Sequence, residues 1–271
     1  MKNIPLSALV GLFFTALYFL GALFAPLLAP YGMAEVVGDV WEPSSAEFWL
    51  GTDNIGRDLL SRMIYGGRTT IFIATVATII SFTTGAVVGI FAAVAGGWID
   101  QVLSRFVDLI MSIPTLIFAL VVLSVTPVTV PMLILVMGLL DSTRVFRLAR
   151  AVAVDIEVMD FVEAARLRGE RTAWIIFREI LPNALSPLVA EMGLRFIFMV
   201  LFVSTLSFLG LGVQPPEADW GGIVKENKDG IVYGIPAALL PAFAIATLAI
   251  SVNLVADWVL NRTTSLKGGR G

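Results

Sequence analysis

The sequence predicts an all-α membrane protein with six transmembrane helices. Apolar residues make up 58% of its 271 residues and charged residues only 14%. The mean hydropathy of +0.90 is far above that of soluble globular proteins. The apolar residues are grouped in blocks of about 18 or more, each long enough to cross a bilayer of ~30 Å. The alternating ten-residue pattern of a membrane β-barrel is not found.

Six apolar segments account for the predicted spans. Because a backbone in hydrocarbon must satisfy its own polar groups, each segment is predicted to be a helix. Scattered Gly and Ser residues allow these helices to pack closely. The segments are 8–29, 69–97, 106–124, 131–147, 188–211 and 236–260.

The first segment follows Lys2 and ends in small residues near Ala29, features that a cleaved signal peptide shares. Its apolar run is about 22 residues long, whereas the core of a signal peptide has about 7–15. We therefore expect a membrane anchor. The orientation of the other five spans does not depend on this choice.

The long loop between the first two spans ends in a helical pattern. Its polar, glycine-containing stretch 51–58 leads into 59–65, in which the apolar residues share one helical face. Asp58 and Arg62 are spaced i,i+4 on another face. We expect an amphipathic helix lying at the membrane interface, rather than a ligand site.

The loop after the fifth span, 209–222, is rich in proline and glycine, which stop a helix and let the backbone turn sharply. Two interpretations are open, namely a rigid turn back into the membrane and a docking site for an external partner. The candidate contacts of such a partner are Gln214, Glu217, Asp219 and Trp220.

The distribution of positive charge predicts the orientation. Thirteen of the 18 Lys and Arg residues fall in or next to the segments that would share one side of the membrane with the two chain ends. The two loops on the opposite side are acidic. This bias places both termini in the cytoplasm, and the charged segment 161–170 is then cytoplasmic as well.

The connection that contains 161–170 is about forty residues long, far more than a turn requires. Asp160 is predicted to cap a short helix, with Glu163 at its N3 position as in a capping box, and Gly169 is predicted to end it. Because the side chains of Ala164 and Ala165 are small, they would leave a smooth helix face that another protein can approach closely. The alternative is a solvated inter-helix loop, which the length and the predicted caps disfavour.

Two pairs of opposite charges lie near the predicted ends of spans. Arg105 with Asp108, and Asp141 with Arg144, are each spaced i,i+3, so that an ion pair can form within one helix. A local pair at the membrane interface is one interpretation. The other is a gate or a substrate contact in a transport pathway, for which Asp141 and Arg144 are the stronger candidates.

The composition also excludes several classes of function. The chain has no cysteine and no histidine, so disulfides, thiol catalysis and cysteine or histidine metal sites are absent. A net charge of −3 gives no basic patch for nucleic acid. Neither internal inverted repeats nor a catalytic constellation is apparent, which disfavours a secondary transporter and an intramembrane enzyme. A receptor or scaffold would share the topology but not the motifs described next.

Several ordered motifs resemble the C-type permease subunit of peptide/dipeptide/nickel ABC importers, and the likeness runs from the first span to about Asp257. One resembles the "EAA" loop of importer permeases, with Glu179 where that family commonly has an apolar residue. The stretches that carry the resemblance are Glu163-Ala164-Ala165 with Gly169 and Ile180-Leu181-Pro182-Asn183, Leu50-Gly51-Thr52-Asp53 with Gly56-Arg57-Asp58 and Ser61-Arg62, Leu206 to Gly212 with Pro215-Pro216, and Trp220-Gly221.

The resemblance implies a type I ABC importer (MetI-like) permease bundle with a cytoplasmic coupling helix, in a bacterial inner membrane. It implies a B-type permease partner, two ABC ATPases that use ATP and Mg, and a binding protein that delivers substrate. No G-x-x-x-x-G-K-[ST] phosphate loop is present, so no cofactor is expected in this chain. The ATPase-coupling residues implied are Glu163, Ala164, Ala165, Gly169, Arg166 and Arg168.

These expectations divide the chain into three parts. They are an anchor with an exported loop, 1–68, a permease core, 69–260, that includes the cytoplasmic loop 150–190, and a cytoplasmic tail, 261–271. Peptides are the cargo that the resemblance favours. Nickel chelates, opines and sugars remain alternatives.

Overall fold

The computed structural model describes residues 4–267, without the side chains of Ser186 and of residues 261–267. In this part of the chain the structure is helical and has no β-strand, with two isolated bridges in the loop before α3. The helices are α1 (Leu6–Leu23), α2 (Ala25–Leu28), α3 (Leu59–Ala95), α4 (Gly97–Met111), α5 (Thr115–Val125), α6 (Val130–Glu157), α7 (Asp160–Leu167), α8 (Thr172–Ile175), α9 (Leu181–Phe208), α10 (Trp220–Asn227) and α11 (Leu239–Lys267).

Four helical stretches among the described residues are long and apolar enough to cross a membrane. They are Leu6–Leu23, Leu59–Ala95, Pro187–Phe208 and Pro236–Leu260. The prediction of an all-helical fold with several apolar helices is confirmed. The predicted tail begins at 261, where side chains are no longer described, and 268–271 lie outside the described residues.

The predicted third span, 106–124, is not one straight helix. The structure has α4 and α5 here, bent by 81° at the short break between them. Pro114 lies in the break and immediately precedes α5. Because proline lacks an amide hydrogen and restricts the residue before it, a helix tends to end at this position.

Two other helices are longer than the sequence predicts. Residues 59–65 are the first turns of α3, a single helix of 37 residues, so a separate amphipathic helix at the interface is not observed. Asp58 caps α3 by accepting a hydrogen bond from the amide of Ser61 at 2.7 Å. Helix α6 continues past the predicted end at 147 to Glu157, because its arginines are helix formers that find partners on neighbouring helices.

The chain forms two compact units. The first contains Met1–Thr75, Val122–Ile134 and Phe196–Val255. Within it, α1 packs closely on α11, because a side chain at Gly11 would lie 2.8 Å from the carbonyl oxygen of Ser251. The Tyr18 hydroxyl hydrogen-bonds the Thr247 hydroxyl at 2.5 Å between the same helices.

The second unit contains Val76–Val121, Leu135–Arg195 and Ala256–Gly271. Its core joins α3, the last turns of α6, α7 and the start of α9 in one apolar cluster. The buried members of this cluster are Ile90, Ala93, Ala149, Ala153, Ile156, Val162, Ala165, Ile175, Ile180, Ala184 and Leu188. The predicted coupling segment is therefore part of a packed core.

Candidate coupling helix and charge clusters

Helix α7 lies on the apolar core through one face only. Val162 and Ala165 are spaced i,i+3 and are fully buried. Ala165 was predicted to lie on the face offered to a partner. Its burial corrects that prediction, because the spacing that brings Val162 into the core turns Ala165 the same way. Ala164 remains exposed.

The predicted cap at the start of α7 is wrong. Met159 occupies the N-cap position in an extended conformation, and its side chain makes no capping hydrogen bond. Asp160 is the first helical residue, and Glu163 follows within the first turn. Their negative charges still favour the helix, because they lie near the positive end of its dipole.

The predicted end of α7 at Gly169 is confirmed. Gly169 has φ of 81°, in the left-handed region that favours glycine. Its amide donates to the carbonyl of Arg166 at 2.9 Å, and the amide of Glu170 donates to the carbonyl of Ala165 at 3.2 Å. These two bonds make a Schellman motif, which fixes where the helix stops.

The exposed face of α7 combines charge with an apolar side chain that sequence reasoning missed. Leu167 is 84% exposed although it is apolar. Arg166 pairs with Glu157, and the Arg168 guanidinium lies 3.9 Å from Glu179. In the sequence, Leu167 stands between Arg166 and Arg168, and an apolar residue between two charged ones is the signal that could identify it. Its exposure marks it as a candidate contact for a partner.

A groove borders the start of α7. It has a volume of about 300 Å³ and a mostly apolar lining. The lining residues are Val152, Asp155, Ile156, Met159, Phe161, Asn183 and Pro187. The exposed surface of the second unit at α7 is therefore a helix face beside an apolar groove.

A second cluster surrounds Asp141, whose side chain is fully buried. Its Oδ2 atom accepts a hydrogen bond from the Ser81 hydroxyl at 2.9 Å. Its Oδ1 atom lies 3.7 Å from a guanidinium nitrogen of Arg144 and 3.5 Å from one of Arg195. The predicted pair of Asp141 and Arg144 thus belongs to a larger cluster, which Arg195 and Ser81 complete from more distant parts of the sequence.

Asp108 has a different partner from the predicted one. Its carboxylate accepts a hydrogen bond from Arg147 of α6 at 2.8 Å, whereas the sequence predicts a pair with Arg105, which is exposed. Asp100 likewise pairs with Arg150 at 2.5 Å. Both bonds join α4 to α6, because two helices in contact offer partners that spacing along one helix does not reveal.

The predicted contacts for an external partner fall into two groups. Gln214 and Glu217 are exposed. Asp219 and Trp220 are buried, with 1% and 2% of their surface exposed, which corrects their assignment to a docking surface. Asp219 caps α10 by accepting from the amides of Gly221 and Gly222, and the Trp220 indole donates to the carbonyl of Met63 at 3.0 Å.

Asp219 makes the stability of the protein depend on pH. Burial raises the pKa of Asp219 to about 7, although hydrogen bonds from Ser207, Gly222 and Gly221 act to lower this pKa. The unfolded chain releases this proton near pH 4. Between pH 4 and 7 the folded state therefore binds more protons, so stability falls as pH rises through this window and levels off above it.

An Asp219→Asn variant tests this dependence. Asparagine keeps a side-chain oxygen to cap α10 but does not titrate. We expect the unfolding midpoint of the purified wild-type protein to fall between pH 5 and 7.5, and that of the variant to fall less. Equal pH profiles in a thermal unfolding measurement would show that Asp219 is ionised throughout.

A buried ion-pair network holds the loop before α3 to α10, and the sequence gives little sign of it. Arg57 bonds both Asp53 and Glu226 at 2.6 Å, and Arg62 bonds the same two carboxylates. Arg62 is only 1% exposed and Asp53 is fully buried. Arg62 therefore pairs with Asp53 and Glu226, whereas the i,i+4 spacing points to Asp58.

Comparison with known proteins gives the family. Residues 85–265 match the family described as binding-protein-dependent transport system inner membrane component. The chain is 33% identical to a di/tripeptide transport system permease protein of Pseudomonas aeruginosa, over 93% of this chain and 85% of the relative. It is 30% identical to a dipeptide transport system permease protein of Alkalihalophilus pseudofirmus, over 92% and 83% of the two chains.

A third relative has a different cargo in its name. The chain is 29% identical to a glutathione transport system permease protein of Pectobacterium atrosepticum, over 79% of this chain and 71% of the relative. The match to the family profile covers more than half of the chain, and the peptide permeases align with nearly all of it. The chain therefore belongs to the family of binding-protein-dependent transport system inner membrane components.

Proposed function

We propose that this chain is the transmembrane permease subunit of an ATP-driven importer and forms half of the pathway for peptides delivered by a binding protein. The observation that carries the proposal is the alignment over more than nine tenths of the chain with dipeptide and di/tripeptide permeases. Helix α7, with its exposed outer face and defined end, supports the part of the proposal that concerns an ATPase.

The proposed topology has six crossings, with both termini in the cytoplasm of a bacterium. In residues 4–267, four helical stretches satisfy the length and hydropathy of a span. The bent pair α4–α5 would supply a fifth crossing and α6 the sixth. The Lys and Arg residues near α7 support the cytoplasmic location of that side.

The proposed partners are a B-type permease, two ABC ATPases and an extracytoplasmic binding protein. The ATPases would bind ATP and Mg, because this chain lacks a phosphate loop. Their contact surface would be the outer face of α7 and its end, formed by Glu163, Ala164, Arg166, Leu167, Arg168 and Gly169. Closure of the ATPases would move α7 and rock the helices between two states.

The pathway is proposed to involve the Asp141 cluster. Asp141 and Arg144 would act as a gate or a substrate contact, since a buried carboxylate in a membrane helix is expensive and is usually functional. Arg105 and Asp108 are weaker candidates, because Asp108 is engaged with Arg147. On the opposite side, the exposed Gln214 and Glu217 would contact the binding protein.

Peptide uptake tests the proposal as a whole. Cells that lack the gene should lose uptake of labelled di- and tripeptides, and the wild-type gene should restore it. Leu167→Asp should fail to restore it, because losing an apolar anchor of ~2–3 kcal/mol weakens ATPase binding by roughly 30–150-fold. Val232→Asp is the matched control, since Val232 is 86% exposed in the first unit.

Two outcomes would contradict the proposal. If cells without the gene take up peptides at the wild-type rate, the cargo is another solute. If Leu167→Asp and Val232→Asp restore uptake equally, with equal amounts of both variants in the membrane, the ATPase does not dock on the outer face of α7.

A further inference from the structure

The Asp141 cluster joins three helices through one carboxylate. Ser81 lies on α3, Asp141 and Arg144 lie on α6, and Arg195 lies on α9. Arg144 shares the helix of Asp141, so their contact places no constraint between helices. Arg195 bonds Glu191 of its own helix at 2.9 Å through Nε and also reaches Asp141 from α9, at 3.5 Å.

The contact between α3 and α6 is close and leaves little freedom. A side chain at Gly85 would lie 2.6 Å from the carbonyl oxygen of Ser142, and one at Gly138 would lie 2.9 Å from Ile80. Ser81 hydrogen-bonds Asp141 across the same contact at 2.9 Å. Because packed surfaces of this kind do not slide continuously, α3 and α6 are expected to move together.

The contact of Asp141 with α9 is of a different kind. Charge-assisted hydrogen bonds of arginine to carboxylate are usually about 2.7–2.9 Å long. The 3.5 and 3.7 Å distances from Oδ1 to Arg195 and Arg144 are longer than this. Within the described residues, this buried oxygen atom has no hydrogen-bond partner, and a small movement of α9 would give it one.

The position of the cluster links this movement to α7. Asp141 lies about 24 Å from the end of α6 and Arg195 about 21 Å from the start of α9, at 1.5 Å per residue. The chain between Glu157 and Leu181 contains α7 and connects these two helix ends. A displacement of α7 can therefore move both α6, which carries Asp141, and α9, which carries Arg195.

We infer that Arg195 and Ser81 are positioning residues for transport: Ser81 fixes Asp141 on α3, and Arg195 ties α9 to this carboxylate in one state of the transport cycle. The inference rests on the proposed function. It assigns to Arg195 the transmission of α7 movement to α6 through Asp141. The interhelical hydrogen bond of Arg144 goes to Thr115 of α5 instead.

The test compares Arg195→Gln with Arg147→Gln in the complete importer, reconstituted in liposomes with its binding protein and a labelled dipeptide. ATP hydrolysis and peptide uptake are measured in the same vesicles. Arg195→Gln should raise the ATP consumed per peptide at least about tenfold, because hydrolysis continues while the α9 contact is lost. Arg147→Gln, which removes a contact of α6 with α4 and leaves that with α9, should raise this ratio clearly less. Arg195→Lys should restore most of the coupling.

Three outcomes would overturn the inference. They are equal ratios for Arg195→Gln and Arg147→Gln, a loss of hydrolysis in proportion to uptake, and no recovery with Arg195→Lys. If Arg195→Gln does not assemble, Asp141→Asn with Arg195→Gln removes both charges, and a normal ratio in that variant also overturns the inference. A wild-type importer without ATP-dependent dipeptide uptake would instead contradict the proposed function.

Discussion

Replacing Gly169 with aspartate should abolish the coupling of ATP hydrolysis to transport while the protein still inserts into the membrane. Gly169 has φ of 81°, and none of the described atoms that could hinder an added Cβ lies within 4 Å of it. The first atom of the new side chain therefore has open space. The substitution strains the backbone by ~1–2 kcal/mol and places a negative charge at the negative end of the α7 dipole, on the proposed ATPase surface.

The matched control is Gly234→Asp. Gly234 has φ of 76°, also follows a helical turn, and also has open space around an added Cβ. Both variants carry the same strain and the same charge, but Gly234 lies in the first unit, away from α7 in the sequence. We expect peptide uptake to fall at least about tenfold with Gly169→Asp and to stay near the wild-type rate with Gly234→Asp. Equal uptake in the two variants would remove Gly169 from the coupling surface.

Removing Asp53 should cause a large loss of stability. Arg62 and Arg57 both bond this fully buried carboxylate, so Asp53→Ala leaves two buried guanidiniums with only Glu226 between them. Breaking a buried ion pair from one side costs about 3–5 kcal/mol of unfolding free energy. The control is Glu47→Ala, since Glu47 is an exposed acid of the same loop and its loss should cost less than about 0.5 kcal/mol.

Chemical or thermal unfolding of the purified protein measures both effects. Asp53→Asn combined with Arg62→Met should recover part of the loss, because it removes an uncompensated buried charge together with its partner. A double variant as unstable as Asp53→Ala would indicate that packing dominates. Similar midpoints for Asp53→Ala and Glu47→Ala would show that the network adds no stability.

The contribution of Asp53 should be constant near neutral pH. Burial alone would raise its pKa, but hydrogen bonds from the amides of Arg57 and Ile55 and from Arg62 outweigh it and lower the pKa of this carboxyl. A group whose folded pKa is depressed stabilises the fold above its unfolded pKa and loses this effect as pH falls through the folded value. The deficit of Asp53→Ala should therefore shrink only in acid.

Helix positions were predictable to different degrees. The apolar blocks locate α1, α3, α9 and α11, because burial in hydrocarbon requires long apolar helices. The bend between α4 and α5 was missed, although Pro114 signals it. The extent of α6 is not predicted for another reason. Its charged residues suggest the end of a span, but the helix continues and Arg147 and Arg150 are bonded to acidic residues of α4.

In the candidate coupling segment, too, some features are predictable from the sequence and others are not. Gly169 was placed correctly because a left-handed residue at a helix end is a local requirement that glycine meets. The cap at Asp160 is predicted from an equally local pattern and is wrong, because the helix begins one residue earlier, with Met159 at the N-cap position. Ala165 was assigned to the outer face, since the sequence does not say which side of a short helix is buried.

The sequence by itself determined the class of the protein, a set of apolar helices with a charged, glycine-ended helix between two of them, because these features depend on composition and on neighbours within about four residues. Only the tertiary structure decided the partners of the charges. Arg62 bonds Asp53 and Glu226, Asp108 bonds Arg147, and Asp141 lies near Arg195. The physical reason is that an ion pair forms between groups that packing brings together, and packing joins helices that are far apart in the chain.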